Sequence, residues 1–305
     1  MVLTDPCGRP VESIRISVTQ RCNLSCFYCH QEGETSKGTS EMMPGEIQRV
    51  VGLAAWFGMS RVKLTGGEPL IRKDIVDIVE IVGGTPGIRE VSMTTNGLLL
   101  EERARRLKEA GLARVNVSLD TLKPERFAQI TGLAALEKVV SGIEEAARVG
   151  LYPVKVNMVL LKGLNEDEIV DMIDFTKENG LILQIIELES VSWDDPYKSY
   201  YVGLDKVEHY LENLAEKITV RRMHHRRKYH LRNGGAVEIV KPMHNTEFCR
   251  NCNRLRVTSD GRLKPCLFRN DNLVDLLGPM RRGASEETLR ELLLEAVKRR
   301  EPYFA

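Results

Sequence analysis

The sequence predicts an α/β protein: a partial (β/α)6 barrel of the TIM type over residues 1–187, followed by a C-terminal α+β extension over 188–305. Three observations carry this reading. Up to about residue 187, short runs rich in Ile, Val and Leu alternate with amphipathic stretches of roughly 10–15 residues, the rhythm of right-handed βαβ units in a parallel sheet. Beyond that point the alternation stops and turn-rich, strand-like segments take over. The composition, 42% hydrophobic and 29% charged over 305 residues, supplies enough apolar side chains for a core of one barrel or about two domains.

Strands are expected at 13–18, 61–64, 89–93, 114–118, 153–159 and 182–186, with helices between them at 44–57, 73–82, 101–110, 135–149 and 166–178. Asn165 ahead of Glu166, Asp167 and Glu168 is a helix start, and Gly58, Gly111, Gly150 and Gly180 each follow a helical run as stops. In such a barrel, ligand-binding residues gather at the C-terminal ends of the strands. Residues 192–201, polar and aromatic around Pro196, read as a loop, and 204–215 as a helix. Antiparallel strands follow across 218–240, turning at Asn233-Gly234-Gly235, and a last helix spans 286–299.

Charge and hydropathy exclude several classes. Lys and Arg number 44 against 43 Asp and Glu, a net charge of +1, so a polyanion would have to be met by a local concentration of cations. No run approaches the ~18 apolar residues of a membrane span, and the first ten residues hold no apolar stretch of a secretory signal; no membrane partner and a cytoplasmic location are expected. The seven cysteines, at 7, 22, 26, 29, 249, 252 and 266, are bunched as one, three and three. An odd, clustered set fits metal ligation in a reducing compartment better than disulfides.

Cys22, Cys26 and Cys29 form C-x3-C-x2-C directly after the first strand. Three thiolates so close can face one soft metal centre. Zinc would want a fourth ligand, for which His30 is the candidate, whereas a [4Fe–4S] cube held by three cysteines would keep one iron open. Cys249, Cys252 and Cys266 form C-x2-C-x13-C, and the same two readings apply, with His244 as the zinc candidate. Between these cysteines, Arg254 and Arg256 fall two apart, on one side of an extended segment, where bidentate contacts could clamp a polyphosphate. Gly66-Gly67-Glu68-Pro69 follows the second strand, with glycines that allow close backbone approach to a ligand and a glutamate that supplies negative charge.

The first motif, with Tyr28 before its last cysteine, resembles the signature of radical S-adenosylmethionine (SAM) enzymes, and the GGEP segment agrees with it. The run Cys249 to Thr258, C-x2-C-N-R-L-R-x-T, followed by Cys266, is similar to the GTP 3′,8-cyclase family of molybdenum cofactor biosynthesis, and the similarity extends from Arg15 to Cys266. The resemblance implies two [4Fe–4S] clusters: one on Cys22, Cys26 and Cys29 that binds SAM, and an auxiliary one in the C-terminal extension on Cys249, Cys252 and Cys266. It implies SAM contacts at Tyr28, Gly67, Ser118 and Glu189. It implies GTP contacts at Arg15, Lys63, Thr94, Lys155, Arg254, Leu255 and Arg256, with Arg254 and Arg256 assisting catalysis. In that family an electron cleaves SAM to a 5′-deoxyadenosyl radical, which takes the ribose 3′-hydrogen of GTP, and the sugar radical closes onto C8 of guanine. Further partners implied are a ferredoxin or flavodoxin as electron donor and a cyclic pyranopterin monophosphate synthase downstream; a homodimer is compatible with it.

Departures from the family pattern are specific. Gln184 stands where the family often has a phosphate-binding arginine, Glu189 where it has a methionine, and Lys63 where it has another arginine. The chain ends Arg300 to Ala305 without the family's Gly-Gly tail. These features resemble the archaeal branch. Residues 221–232, RRMHHRRKYHLR, read as the solvated face of a hairpin or a positive rim steering an anion, and no nucleic-acid partner is expected. Cys7 reads as a bystander thiol. Two alternatives compete: a radical SAM enzyme that modifies peptides, which gives no reason for the Arg254/Arg256 pair, and a zinc-binding adaptor, which leaves GGEP unexplained.

Overall fold

The strands alternate apolar and polar residues, and that alternation builds the molecule. In the computed structural model, which describes residues 3–34, 40–189 and 196–304, β1 (Ser13–Ser17), β2 (Arg61–Thr65), β3 (Glu90–Thr95), β4 (Arg114–Ser118), β5 (Lys155–Leu160) and β6 (Ile182–Glu187) are parallel neighbours in chain order. The connecting helices are α1 (Pro44–Trp56), α2 (Ile75–Gly83), α3 (Leu100–Glu109), α4 (Pro124–Thr131), α5 (Leu136–Arg148) and α6 (Ile169–Glu178). Ile14 and Ile16, Val62 and Leu64, Val115 and Val117, and Val156 and Met158 are buried in one apolar core with the helices. The intervening residues face the other way, into a polar interior.

All six expected strands form, and each predicted helix stop follows its helix by one residue. The helix α4 was not anticipated; Pro124 at its first turn pre-sets the backbone, and eight residues are too few to show a period. Expected residues 192–195 of the loop lie outside the described residues; Pro196–Tyr200 forms a short 3-10 turn.

After β6 come α7 (Asp205–Leu214), β7 (Ala215–Val220), β8 (Arg227–Leu231) and β9 (Ala236–Val240), then α8 (Thr246–Arg250), β10 (Arg254–Val257), β11 (Arg262–Lys264), β12 (Val274–Asp275), α9 (Leu277–Arg281) and α10 (Glu286–Lys298). These strands join the first six in one sheet of order β12-β11-β10-β1-β2-β3-β4-β5-β6-β9-β8-β7. Both junctions are parallel: β9 pairs with β6, and β10 pairs with β1. The last third of the chain thus flanks the barrel on both edges and then caps each flank with antiparallel strands. No helix among the described residues is long and apolar enough to cross a membrane.

Candidate active site

The register sets the charges side by side. Arg15 on β1 lies opposite Arg256 on β10 and Lys63 on β2, and one row further Asn116 on β4 lies opposite Lys155 on β5. Barrel interiors are ordinarily filled by branched apolar side chains. Here the interior is a cleft lined by Arg15, Lys63, Thr94, Ser118, Lys155, Arg254 and Arg256, with Tyr28, Gly67, Glu189 and all six cysteines of the two trios on its walls. The space between the walls, including the part open to solvent, is about 2410 Å³. Of the residues expected here, Leu255 stands apart: its side chain is fully buried in the core, on the opposite face of β10. Cys7 is exposed and away from the cleft.

The first thiol loop is fixed from three sides. Gly67 N–H donates to Thr19 O and Glu68 N–H to Arg21 O, both at 2.8 Å. A Cβ on Gly66 would sit 2.2 Å from Thr19 O and one on Gly67 2.3 Å from Arg21 O, so the paired glycines let this segment press on the thiol loop itself. Glu68 does not face the cleft, contrary to the expectation that it charges a ligand site. It is fully buried and accepts from Leu70 N–H at 2.8 Å, Thr95 Oγ1 at 2.7 Å and Asn96 N–H at 2.6 Å. Tyr28 donates its hydroxyl to Asp120 at 2.5 Å, and Asp120 accepts from Val159 N–H at 2.8 Å, which locks the tyrosine ring at the cleft wall. Burial pushes the Asp120 carboxyl up to about 6.

The second loop hangs on α8, whose start is capped by Asn245 accepting from Phe248 N–H at 2.9 Å. Two arginines hold its backbone: Arg9 Nη1 donates to Cys249 O at 3.0 Å and Arg300 Nη2 to Cys252 O at 2.7 Å. Asp5 bridges both, at 2.8 Å from Arg9 Nε and 3.0 Å from Arg300 Nη1. The chain's last residues complete this wall, with Glu301 and Tyr303 lining the cleft, Tyr303 against Phe268, and Phe304 against His244.

The thiols are suited to iron–sulfur ligation. All are free of disulfides. Burial raises the pKa of Cys22, Cys29 and Cys266 and pushes Cys26 up to about 12, with neighbouring thiols of the same trio adding to it at Cys26 and Cys266. Such thiols ionise when a cationic centre takes their protons' place. Among the described residues no three His, Cys, Asp or Glu side chains converge as they would around one zinc ion at ~2.3 Å. The zinc candidate His30 instead lies 3.3 Å from Glu189.

The cations between the two trios are only partly neutralised. Glu32, in a left-handed backbone conformation (φ 55°), accepts from Arg256 Nη1 at 2.8 Å and Thr65 Oγ1 at 2.9 Å and pairs closely with Arg15. Burial works against its charge, yet Arg15 and Arg256 hold its carboxyl down at about 2. Lys155 pairs with buried Glu238, which also accepts from Arg221 Nη1 at 2.9 Å and Gln184 Nε2 at 2.9 Å. Lys63 has only Asn116 Oδ1 at 3.0 Å, and Arg254 only the Met223 sulfur at 3.4 Å; neither meets a carboxylate among the described residues. Burial and then neighbouring cations push both below their usual pKa range. This is a site that lacks an anion.

Sequence reasoning missed Glu32, Glu238, Asp120 and part of the basic stretch. The solvated-face reading holds for Arg222, His225 and Arg227, which pair with Glu12, Glu247 and Glu212. Arg221, Met223, His224 and Arg226 turn inward and line the cleft. Glu238 could have been read from the alternation Val237-Glu238-Ile239, the pattern that marked Lys155.

Comparison with known proteins decides the family. Residues 16–176 match the radical SAM superfamily and residues 181–305 match Molybdenum Cofactor Synthesis C. The chain belongs to the radical SAM superfamily. Within it, the chain belongs to the GTP 3′,8-cyclase family. It is 50% identical to a probable GTP 3′,8-cyclase of Thermococcus kodakarensis, over 99% of this chain and 100% of that protein. It is 49% identical to one of Methanothermobacter thermautotrophicus, over 100% and 99%. Among solved structures this radical SAM chain resembles Streptococcus suis SuiB bound to S-adenosylmethionine, with a TM-score of 0.67 at 18% identity, covering 84% of this chain and 60% of that one. It also resembles anSMEcpe with bound AdoMet, with a TM-score of 0.60 at 20% identity, covering 85% and 76%. At such identities the likeness is one of fold. This radical SAM enzyme therefore uses SAM and a [4Fe–4S] cluster.

Proposed function

We propose that this enzyme converts GTP to (8S)-3′,8-cyclo-7,8-dihydroguanosine 5′-triphosphate, the first step of molybdenum cofactor biosynthesis. One observation carries the reading: two half-buried cations without acid partners among the described residues, Lys63 and Arg254, line the same cleft as two thiol trios. A polyphosphate supplies the missing charge.

Cys22, Cys26 and Cys29 hold the SAM-binding cluster, and Cys249, Cys252 and Cys266 hold a second [4Fe–4S] cluster. When bound, the first cluster and SAM supply the radical that removes the ribose 3′-hydrogen. Tyr28, Gly67, Ser118 and Glu189 orient SAM, the tyrosine being steadied by Asp120. Arg15, Lys63, Lys155, Arg254 and Arg256 bind the triphosphate, with Thr94 beside the nucleotide and Leu255 contributing through its backbone. Arg254 and Arg256, nearest the second thiol loop in sequence, also stabilise the negative charge that arises when the nitrogen-centred radical left on the guanine by C8 attack takes up an electron from the donor and then a proton. The region 1–187 is the barrel that carries the SAM-binding cluster, and the region 188–305 carries the second cluster and closes the barrel over the nucleotide. A ferredoxin or flavodoxin supplies electrons in the cytoplasm, and a cyclic pyranopterin monophosphate synthase consumes the product.

The test is anaerobic turnover of protein with rebuilt clusters, measuring 5′-deoxyadenosine with and without GTP and the nucleotide product by chromatographic separation from GTP followed by mass. GTP-dependent cleavage with an isomer of GTP as product is expected. SAM cleavage indifferent to GTP would overturn the substrate and favour peptide modification.

A further inference from the structure

The strand position that the family resemblance marks for a phosphate-binding arginine is neutral in this chain, and the structure accounts for where the charge went. Gln184 is buried, donates to Glu238 Oε2 at 2.9 Å and accepts from Asn116 Nδ2 at 3.4 Å. It is tied into the wall and offers the cleft no cation. Its neighbours Lys155 and Arg221 line the cleft but are not unpaired: both are drawn to Glu238, which is 1% exposed and whose two oxygens, with Gln184, are shared among three donors.

Arg226 lies beside this group and is not consumed by it. It lines the cleft, forms no ion pair among the described residues, and its buried Nε has no hydrogen-bond partner there. The turn that delivers it is built for the purpose. His224 and His225 both take left-handed φ, 62° and 50°, which few non-glycine residues adopt. The His224 ring stacks on Phe248 at 3.9 Å, and the His224 backbone N–H donates to Asn251 O at 2.9 Å, so the turn is anchored to the second thiol loop. That anchoring sends Arg226 inward while Arg227 points out to Glu212 at 2.8 Å. A half-buried guanidinium held in this way, with its nearest acid Glu238 already bonded to three other donors, gains from an anion that enters the cleft.

We propose that Arg226 binds the substrate's polyphosphate directly, supplying from the turn between β7 and β8 the positive charge that Gln184 does not. This rests on the reading of the substrate as a nucleoside triphosphate. It makes the C-terminal region, through an element of the basic stretch, a direct part of substrate selection.

The experiment measures binding of GTP, guanosine and inorganic tripolyphosphate by calorimetry to the cluster-loaded wild type and to Arg226→Gln, Arg226→Lys and Arg227→Gln. Arg226→Gln is expected to weaken GTP and tripolyphosphate by about 10- to 100-fold, the worth of one charged hydrogen bond, and to leave guanosine unchanged. Arg226→Lys, which keeps the charge and guards against a folding defect, should recover part of the loss, and Arg227→Gln should match wild type. Equal weakening of GTP and guanosine, or no change with tripolyphosphate, overturns the proposal. A wild type that binds tripolyphosphate but neither GTP nor guanosine overturns the nucleotide reading alone, with the Arg226 comparison still decided on tripolyphosphate. Binding of none of the three overturns both.

Discussion

Arg300 donates a 2.7 Å hydrogen bond to the backbone carbonyl of Cys252, so the last helix's end is fastened to the loop that carries the second thiol trio. Arg300 is 1% exposed and shares Asp5 with Arg9, whose own guanidinium holds the carbonyl of Cys249. The loop is thus gripped at both ends of its C-x2-C turn by one buried acid and two arginines.

Arg300→Ala should therefore cost about 1.5–3 kcal/mol in chemical denaturation, the scale of a lost charged hydrogen bond. With the two clusters proposed, it should also lower the iron bound after reconstitution by about half, since the first thiol trio is untouched. Full iron content in the variant would show that the grip is not needed for ligation.

Glu32 occupies the place between Arg15 and Arg256 that a phosphate would take. Glu32→Gln should tighten tripolyphosphate binding about tenfold by removing an internal competitor. Weaker binding would mean that Glu32 only orients the arginines. Its pKa is depressed from 4.5 to about 2, so the stability it contributes is present above pH 4.5 and lost as pH falls towards about 2. Acid titration should accordingly show a shallower loss of stability in the variant than in wild type over that window.

Glu68 has the opposite sign. Burial raises its carboxyl from 4.5 to about 7 against the pull of three hydrogen bonds. Its contribution is therefore full below pH 4.5 and declines as pH rises through about 7. Glu68→Gln removes this titration but turns an amide towards Asn96 N–H, a donor facing a donor. We expect a loss of about 1–3 kcal/mol, with a flatter dependence on pH between 5 and 8, read by denaturant unfolding. An unchanged slope would remove Glu68 as its source.

Glu238 neutralises Lys155 and Arg221 in the interior. Glu238→Ala leaves those charges unpaired and should destabilise by about 3–5 kcal/mol, whereas adding Lys155→Met should recover part of it. Additive losses in the double variant would show that the pair is not coupled.

Much of this was legible from local pattern. The period-two alternation of Ile14-Arg15-Ile16 and Val62-Lys63-Leu64 marked charges that had to point inward, and the cysteine spacings marked both thiol loops. What local pattern could not say was which acid meets which cation. Glu32 reaches Arg15 from 17 residues away and Glu238 reaches Lys155 from 83, encounters that depend on strand order. The glycines of GGEP were recognisable as a close approach, yet the partner is the thiol loop's own backbone. Likewise the basic stretch announced its charge, but only the left-handed His224 and His225 decide that Arg226 goes in and Arg227 goes out.

The pairing of β1 with β10 sets an order of events when the chain is made. Ser13 meets Asn253 across a separation of 240 residues, so one edge of β1 stays open until β10 has emerged from the ribosome. Through that interval an Ile-rich strand and three thiols are exposed together, a state prone to strand-edge aggregation and oxidation. The partner strand also carries Arg254 and Arg256 and follows directly on Cys252. Closing that edge and bringing the two thiol loops to one cleft are one step, so the site cannot assemble before β10 is made.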